Sequence, residues 1–128
     1  MKGIFLVLLF VIYFTACTDT KTIREEIKTV NASVCWYYVS YISNRRAFVS
    51  VEKNGVSEIV LDCNDNMITG ISSKVDTIFI KVFEPRNNSI YSFKPFSSGY
   101  VIRLDSTASL NDFNKIYQQE FYKPDSVK

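Results

Sequence analysis

Residues 47–63 read Ala47-Phe48-Val49-Ser50-Val51-Glu52-Lys53-Asn54-Gly55-Val56-Ser57-Glu58-Ile59-Val60-Leu61-Asp62-Cys63, and the Asn54-Gly55 pair at their middle decides how the rest is read. A two-residue hairpin turn of type I′ needs positive φ at both central positions, which Gly accepts freely and Asn better than most residues. The flanking runs, Ala47 to Lys53 and Val56 to Cys63, are therefore expected to fold back on one another as antiparallel strands.

Upstream, Ser33-Val34-Cys35-Trp36-Tyr37-Tyr38-Val39-Ser40-Tyr41-Ile42 is dense in β-branched and aromatic residues on both alternating faces. That pattern predicts a central strand covered on both sides, joined to the hairpin by a turn at Asn44-Arg45-Arg46. Downstream, Asn64-Asp65-Asn66 forms a polar loop and a weak segment runs through Ile71. Val75 to Glu84 is a further strand with Ile78, Ile80 and Val82 on one face, and Pro85 to Asn88 turns the chain. Ile90 to Lys94 and Tyr100 to Leu104 are expected to pair around Pro95-Phe96-Ser97-Ser98-Gly99.

Two helices complete this reading. Thr22-Ile23-Arg24-Glu25 matches a capping box, and Ile23, Ile27 and Val30 fall at helical spacing, so a short amphipathic helix or partly ordered tether is expected between Thr18 and Asn31. Ser109 caps a second helix, with Leu110, Phe113, Ile116, Tyr117 and Phe121 on one side and Pro124 at its end. Short connections favour a meander of five or six mostly antiparallel strands. With two helices on one face this makes a two-layer α+β domain; a small β-sandwich or open barrel with a terminal helix is the alternative.

The chain opens with Lys2, an apolar run from Gly3 to Phe14, and then Thr15-Ala16-Cys17. As a helix, Gly3 to Ala16 would rise about 21 Å, at about 1.5 Å per residue, against a hydrocarbon core of about 30 Å. It is too short to span and is laid out as a signal peptide. The residues alone suit a plain secretory signal, an uncleaved anchor or a lipoprotein leader. Phe14-Thr15-Ala16-Cys17 resembles the lipobox of bacterial lipoproteins at its small positions and its Cys, with Phe14 where Leu is usual. The resemblance implies cleavage before Cys17, a diacylglyceryl thioether on its sulfur and an acylated amino terminus. Each buried methylene contributes about 0.8 kcal/mol, so two or three long chains hold a small domain firmly on a membrane. Thr18 is neutral, and in the lipoprotein sorting rule Asp at that position favours the inner membrane. The expected location is therefore the cell envelope, at the outer membrane. The organisation that follows is a signal peptide at 1–16, a lipidated Cys with tether and short helix at 17–32, and one globular domain at 33–128.

Cleavage removes 16 of 128 residues and one of the 15 Lys and Arg, which leaves 112 residues with 14 basic against 13 acidic side chains. That is one domain with one core and no basic surplus to attract nucleic acid. With Cys17 acylated, Cys35 and Cys63 remain. In an exported protein an even pair is a disulfide candidate, contributing about 3–4 kcal/mol in the chain-entropy model, the alternative being two free cysteines buried as small hydrophobes.

Candidate chemistry is sparse. There is no histidine, which removes the commonest general base, the Ser-His and Cys-His pairs and the usual zinc ligands. Asp62-Cys63-Asn64-Asp65-Asn66 matches the start of a calcium loop, yet Met67 stands where Gly is needed and Ser73 where a bidentate Glu is needed. A turn stabilised by local side-chain hydrogen bonds accounts for it better. Three Asp-Ser/Thr-apolar triplets, at Asp76, Asp105 and Asp125, resemble a short bacterial O-glycosylation sequon. Aromatic residues offer the one sign of binding, with Trp36, Phe96 and Tyr100 as candidate surface residues. The expectation is a lipid-anchored protein, not an enzyme, with no cofactor and no metal. It would bind an envelope or exported protein, with an immunity or inhibitor role, or glycan binding, as alternatives.

Overall fold

The structure, a computed structural model, describes residues 20–83 and 89–118. The leader, Cys17, the Pro85 turn, Phe121, Pro124 and the Asp125 triplet lie outside the described residues. In chain order the strands are β1 (Thr20–Lys28), β2 (Ser33–Ser40), β3 (Arg45–Lys53), β4 (Val56–Asn64), β5 (Ile68–Lys74), β6 (Thr77–Val82), β7 (Ile90–Phe93), β8 (Phe96–Ser97) and β9 (Tyr100–Asp105). A helix α1 (Leu110–Phe113) follows and widens into a π-helical turn, Asn114–Gln118. No helix among the described residues is long and apolar enough to cross a membrane.

The hairpin forms as its turn requires. Asn54 and Gly55 take φ of 54° and 78°, and β3 pairs with β4 from Lys53↔Val56 to Arg46↔Asn64, with one irregularity between Val49 and Ser50. It sits in a five-stranded sheet ordered β1-β2-β3-β4-β7; a second sheet is ordered β5-β6-β9-β8. All pairings are antiparallel except β6 with β9. The sheets do not close into one. They share a single apolar core, to which the first contributes Val34, Trp36, Val49, Val51, Val60 and Leu61 and the second Ile68, Ile78, Ile80, Val82 and Ile102. The Ile78, Ile80, Val82 face expected from alternation is fully buried; each such side chain contributes about 1.5–3 kcal/mol.

The N-terminal helix is not formed. Thr20–Lys28 is instead the edge strand β1, paired with β2 from Thr20↔Ser40 to Lys28↔Ser33 and bulged at Arg24. Helical propensity is a weak preference, whereas an uncovered β2 edge would leave a row of backbone donors and acceptors without partners. Glu25 then reaches across the sheets, its carboxylate accepting from the Ile71 N–H at 2.9 Å. The meander also breaks at its end. β7 and β9 do not pair with each other: β7 joins β4 in the first sheet and β9 lies between β6 and β8 in the second. The Pro95–Gly99 connection carries the chain from one sheet to the other. The result is two sheets with a short terminal helix, closer to the sandwich alternative than to helices covering one sheet.

The C-terminal helix begins at Ser109 as expected. The Ser109 hydroxyl accepts from the Asp112 N–H and the Asp112 carboxylate accepts from the Ser109 N–H, a complete capping box. That N–H, together with Lys81, holds the Asp112 carboxyl below its usual range. Tyr117 is wholly buried and its hydroxyl donates to the Ile68 carbonyl. Burial pushes its phenol well above the ordinary tyrosine value. Phe83, Phe113 and Tyr117 pack in sequence as tilted ring pairs with centroids 5.0 Å apart.

Candidate functional site

Two features stand out at opposite ends of the sheets. The first is built where the β1 bulge meets the β4–β5 turn. The extra residue of the bulge, Arg24, turns toward the core, and Asn66 at φ 83° bends the chain so that Asp65 faces it. An Arg24 guanidinium nitrogen lies 3.4 and 3.3 Å from the two Asp65 oxygens, and Arg45 approaches one of them at 3.1 Å. The Arg24 and Asp65 side chains are only 10% and 6% exposed. Both guanidiniums stack on Tyr38, at 4.5 Å for Arg24 and 3.9 Å for Arg45, and Arg24 also faces Tyr117 at 5.1 Å and Trp36 at 5.7 Å. A shallow cleft of about 330 Å³, lined among others by Arg24, Trp36, Tyr38 and Lys115, opens beside the cluster.

The Asp65 carboxylate is shared between two cations, Arg24 and Arg45. The segment expected as a polar turn is divided: Asp62, Cys63 and Asn64 end strand β4, and only Asp65 and Asn66 turn the chain. Asp62 is bound by Arg46 through two guanidinium nitrogens and Asp65 by Arg24 and Arg45. Among the described residues no group of three or more Cys, Asp or Glu side chains could hold a metal ion.

The second feature is the far end of the domain. There the β1–β2, β3–β4 and β5–β6 turns and the start of β9 lie together, and the Thr29 and Tyr100 hydroxyls, 2.7 Å apart, join the two sheets. Val30, Val56, Val75 and Phe96 are 96%, 69%, 88% and 69% exposed. Val75 also sits at φ 57°, a region costly for a β-branched residue. Gly or Asn is the ordinary occupant of such a position.

The candidate residues from sequence separate. Phe96 is exposed, but Trp36 and Tyr100 are not surface residues, at 2% and 6% exposure. Trp36 lies on the inward face of β2 between Val34 and Tyr38, and Tyr100 is drawn in by its hydrogen bond to Thr29. The Cys35–Cys63 bridge is not formed either; both are free cysteines. They lie two strands apart. Cys35 pairs with Ser50, whereas Cys63 pairs with Ala47, opposite the inward-facing Tyr38, so the two project from opposite faces. A disulfide needs Cα atoms within about 7 Å and side chains aimed at one another. Burial pushes the Cys63 thiol up to about 12 and raises Cys35 less.

Arg24, Asp65 and Val75 were not legible as site residues. Arg24 was hidden by the helical reading of its segment, and Val75 was placed inside a strand. A bulge leaves no local signature in the sequence, but the polar Asn64-Asp65-Asn66 run did mark the turn. Comparison of the chain with protein-family models, with curated proteins and with solved structures gives no match.

Proposed function

We propose that the chain is a bacterial lipoprotein held in the cell envelope, at the outer membrane, by acyl chains on Cys17. Its two-sheet domain binds an envelope or exported protein and performs no chemistry of its own. The lipobox-like leader supports the location. The observation that carries the binding role is the apolar far end: Val30 and Val75 on turns and Phe96 on β8 are exposed away from the start of β1, and Val75 holds a strained backbone conformation. Strain of this kind costs about 1–3 kcal/mol, and retaining an exposed valine there gives the fold nothing in return. A partner surface that buries it would. With Trp36 in the core, a glycan-stacking role loses its main residue. The described acidic side chains Asp62, Asp65, Glu58 and Asp112 each pair with a cation, which supports a structural role for them.

A photo-crosslinking residue placed at Phe96 in cells is expected to capture one protein, whereas the same residue at Arg103, exposed on β9, captures none. Val75→Gly is expected to stabilise the domain by up to about 1 kcal/mol while weakening that capture. Equal capture at both positions, or none at Phe96, would contradict a binding role for this end.

A further inference from the structure

We infer that the β2–β3 turn, Tyr41 to Asn44, is seated in the headgroup layer of the bilayer that carries Cys17, so that the domain stands with this end on the membrane. The inference rests on the lipid-anchor reading proposed above and adds the surface that meets the lipid.

The argument is one of chain length and exposure. Only three peptide steps separate Cys17 from Thr20, a reach of at most about 10 Å at about 3.3–3.6 Å per residue. Thr20 is the first residue of β1 and is paired with Ser40, the last residue of β2. The turn that follows Ser40 is therefore held beside the anchor. It is closed by the Tyr41 N–H donating to the Asn44 carbonyl at 2.7 Å, which pushes Ile42 and Ser43 to the tip. Ile42 is 110% exposed, meaning that none of the described residues covers it, and Tyr41 is 38% exposed.

An isoleucine at the tip of a tight turn with a tyrosine behind it suits the boundary between acyl chains and headgroups, where an aromatic ring keeps one end apolar and the other wet. The cations at this end are engaged within the domain. Arg45 and Arg46 are paired with Asp65 and Asp62, and Lys21 lies over the Tyr37 ring at 4.1 Å, so the contact through Ile42 is apolar and should form on uncharged lipid. A nine-residue β1, at about 3.3 Å per residue, separates the Val30 and Val75 end from this turn by up to roughly 30 Å along the strand.

The test uses the acylated protein reconstituted into phosphatidylcholine vesicles that contain doxyl-labelled lipid. Ile42→Cys and Val75→Cys are each made in a Cys35→Ser background and labelled with an environment-sensitive nitrobenzoxadiazole dye. The buried Cys63 stays unlabelled. The dye at 42 is expected to shift to the blue and lose most of its emission to the doxyl lipid, and the dye at 75 to be unaffected. If the protein floats with the vesicles and neither dye is quenched, or both are quenched alike, the seated turn is wrong while the anchor stands. If the protein carries no acyl mass and does not float, the anchor reading fails and takes this inference with it.

Discussion

Asp65→Ala is expected to lower the free energy of unfolding by about 3–5 kcal/mol, because it removes the carboxylate of a largely buried ion pair. That is a large part of the roughly 5–15 kcal/mol that holds a domain of this size together. The carboxylate lies within 3.4 Å of Arg24 and at 3.1 Å from Arg45. Removing it takes away the carboxylate that the two guanidiniums on the Tyr38 ring share. Arg45 is 30% exposed, whereas Arg24, against Trp36, Tyr38 and Tyr117, is only 10% exposed. Arg24→Met in the Asp65→Ala background should recover part of the loss, since it replaces a largely buried charge that has lost this carboxylate by an apolar chain of similar length. Chemical denaturation of the four members of this cycle measures the coupling, expected at about 2–3 kcal/mol. Independent losses that simply add would show that Arg24 and Asp65 do not depend on each other.

Tyr117→Ala is the second large effect, at about 3–5 kcal/mol for emptying a fully buried aromatic site. Tyr117 closes the second sheet, with its ring against Phe113 and its hydroxyl on the Ile68 carbonyl at the start of β5. Tyr117→Phe separates the two contributions. It keeps the ring and leaves only the carbonyl without a partner, at about 1–3 kcal/mol. If both variants melt like the parent, the segment after Ser109 is not part of the core.

What could be read from the sequence follows from which forces are local. The Asn54-Gly55 turn, the Ser109 cap and the alternating Ile78, Ile80, Val82 face each rest on a few neighbouring residues. Their structural counterparts agree closely. The Thr20–Lys28 segment was misread because its capping box and its Ile spacing are local, while the open edge of β2 that captures it is a feature of the assembled sheet. The separation of β7 from β9 is likewise decided by which sheet edge is free, not by the Pro95–Gly99 loop itself. The exposure expected at Trp36 and Tyr100 failed for a related reason. Strand residues show a period of two, but which face is inward depends on the second sheet. Phe96, on the two-residue β8 at a sheet edge, had no such partner and is exposed. The Arg24–Asp65–Arg45 cluster joins residues up to 41 positions apart, and no spacing rule reaches that far.

Both ends of the proposed arrangement, the seated turn and the apolar turns facing away from it, depend on acylation of Cys17. The most direct measurement is the intact mass of the protein extracted from membranes of the cell that makes it. The account predicts a chain beginning at Cys17 that carries the added mass of two or three acyl chains, with a Cys17→Ser variant that gains none and leaves the membrane fraction. An unmodified chain retaining Met1, recovered in the soluble fraction, would contradict it.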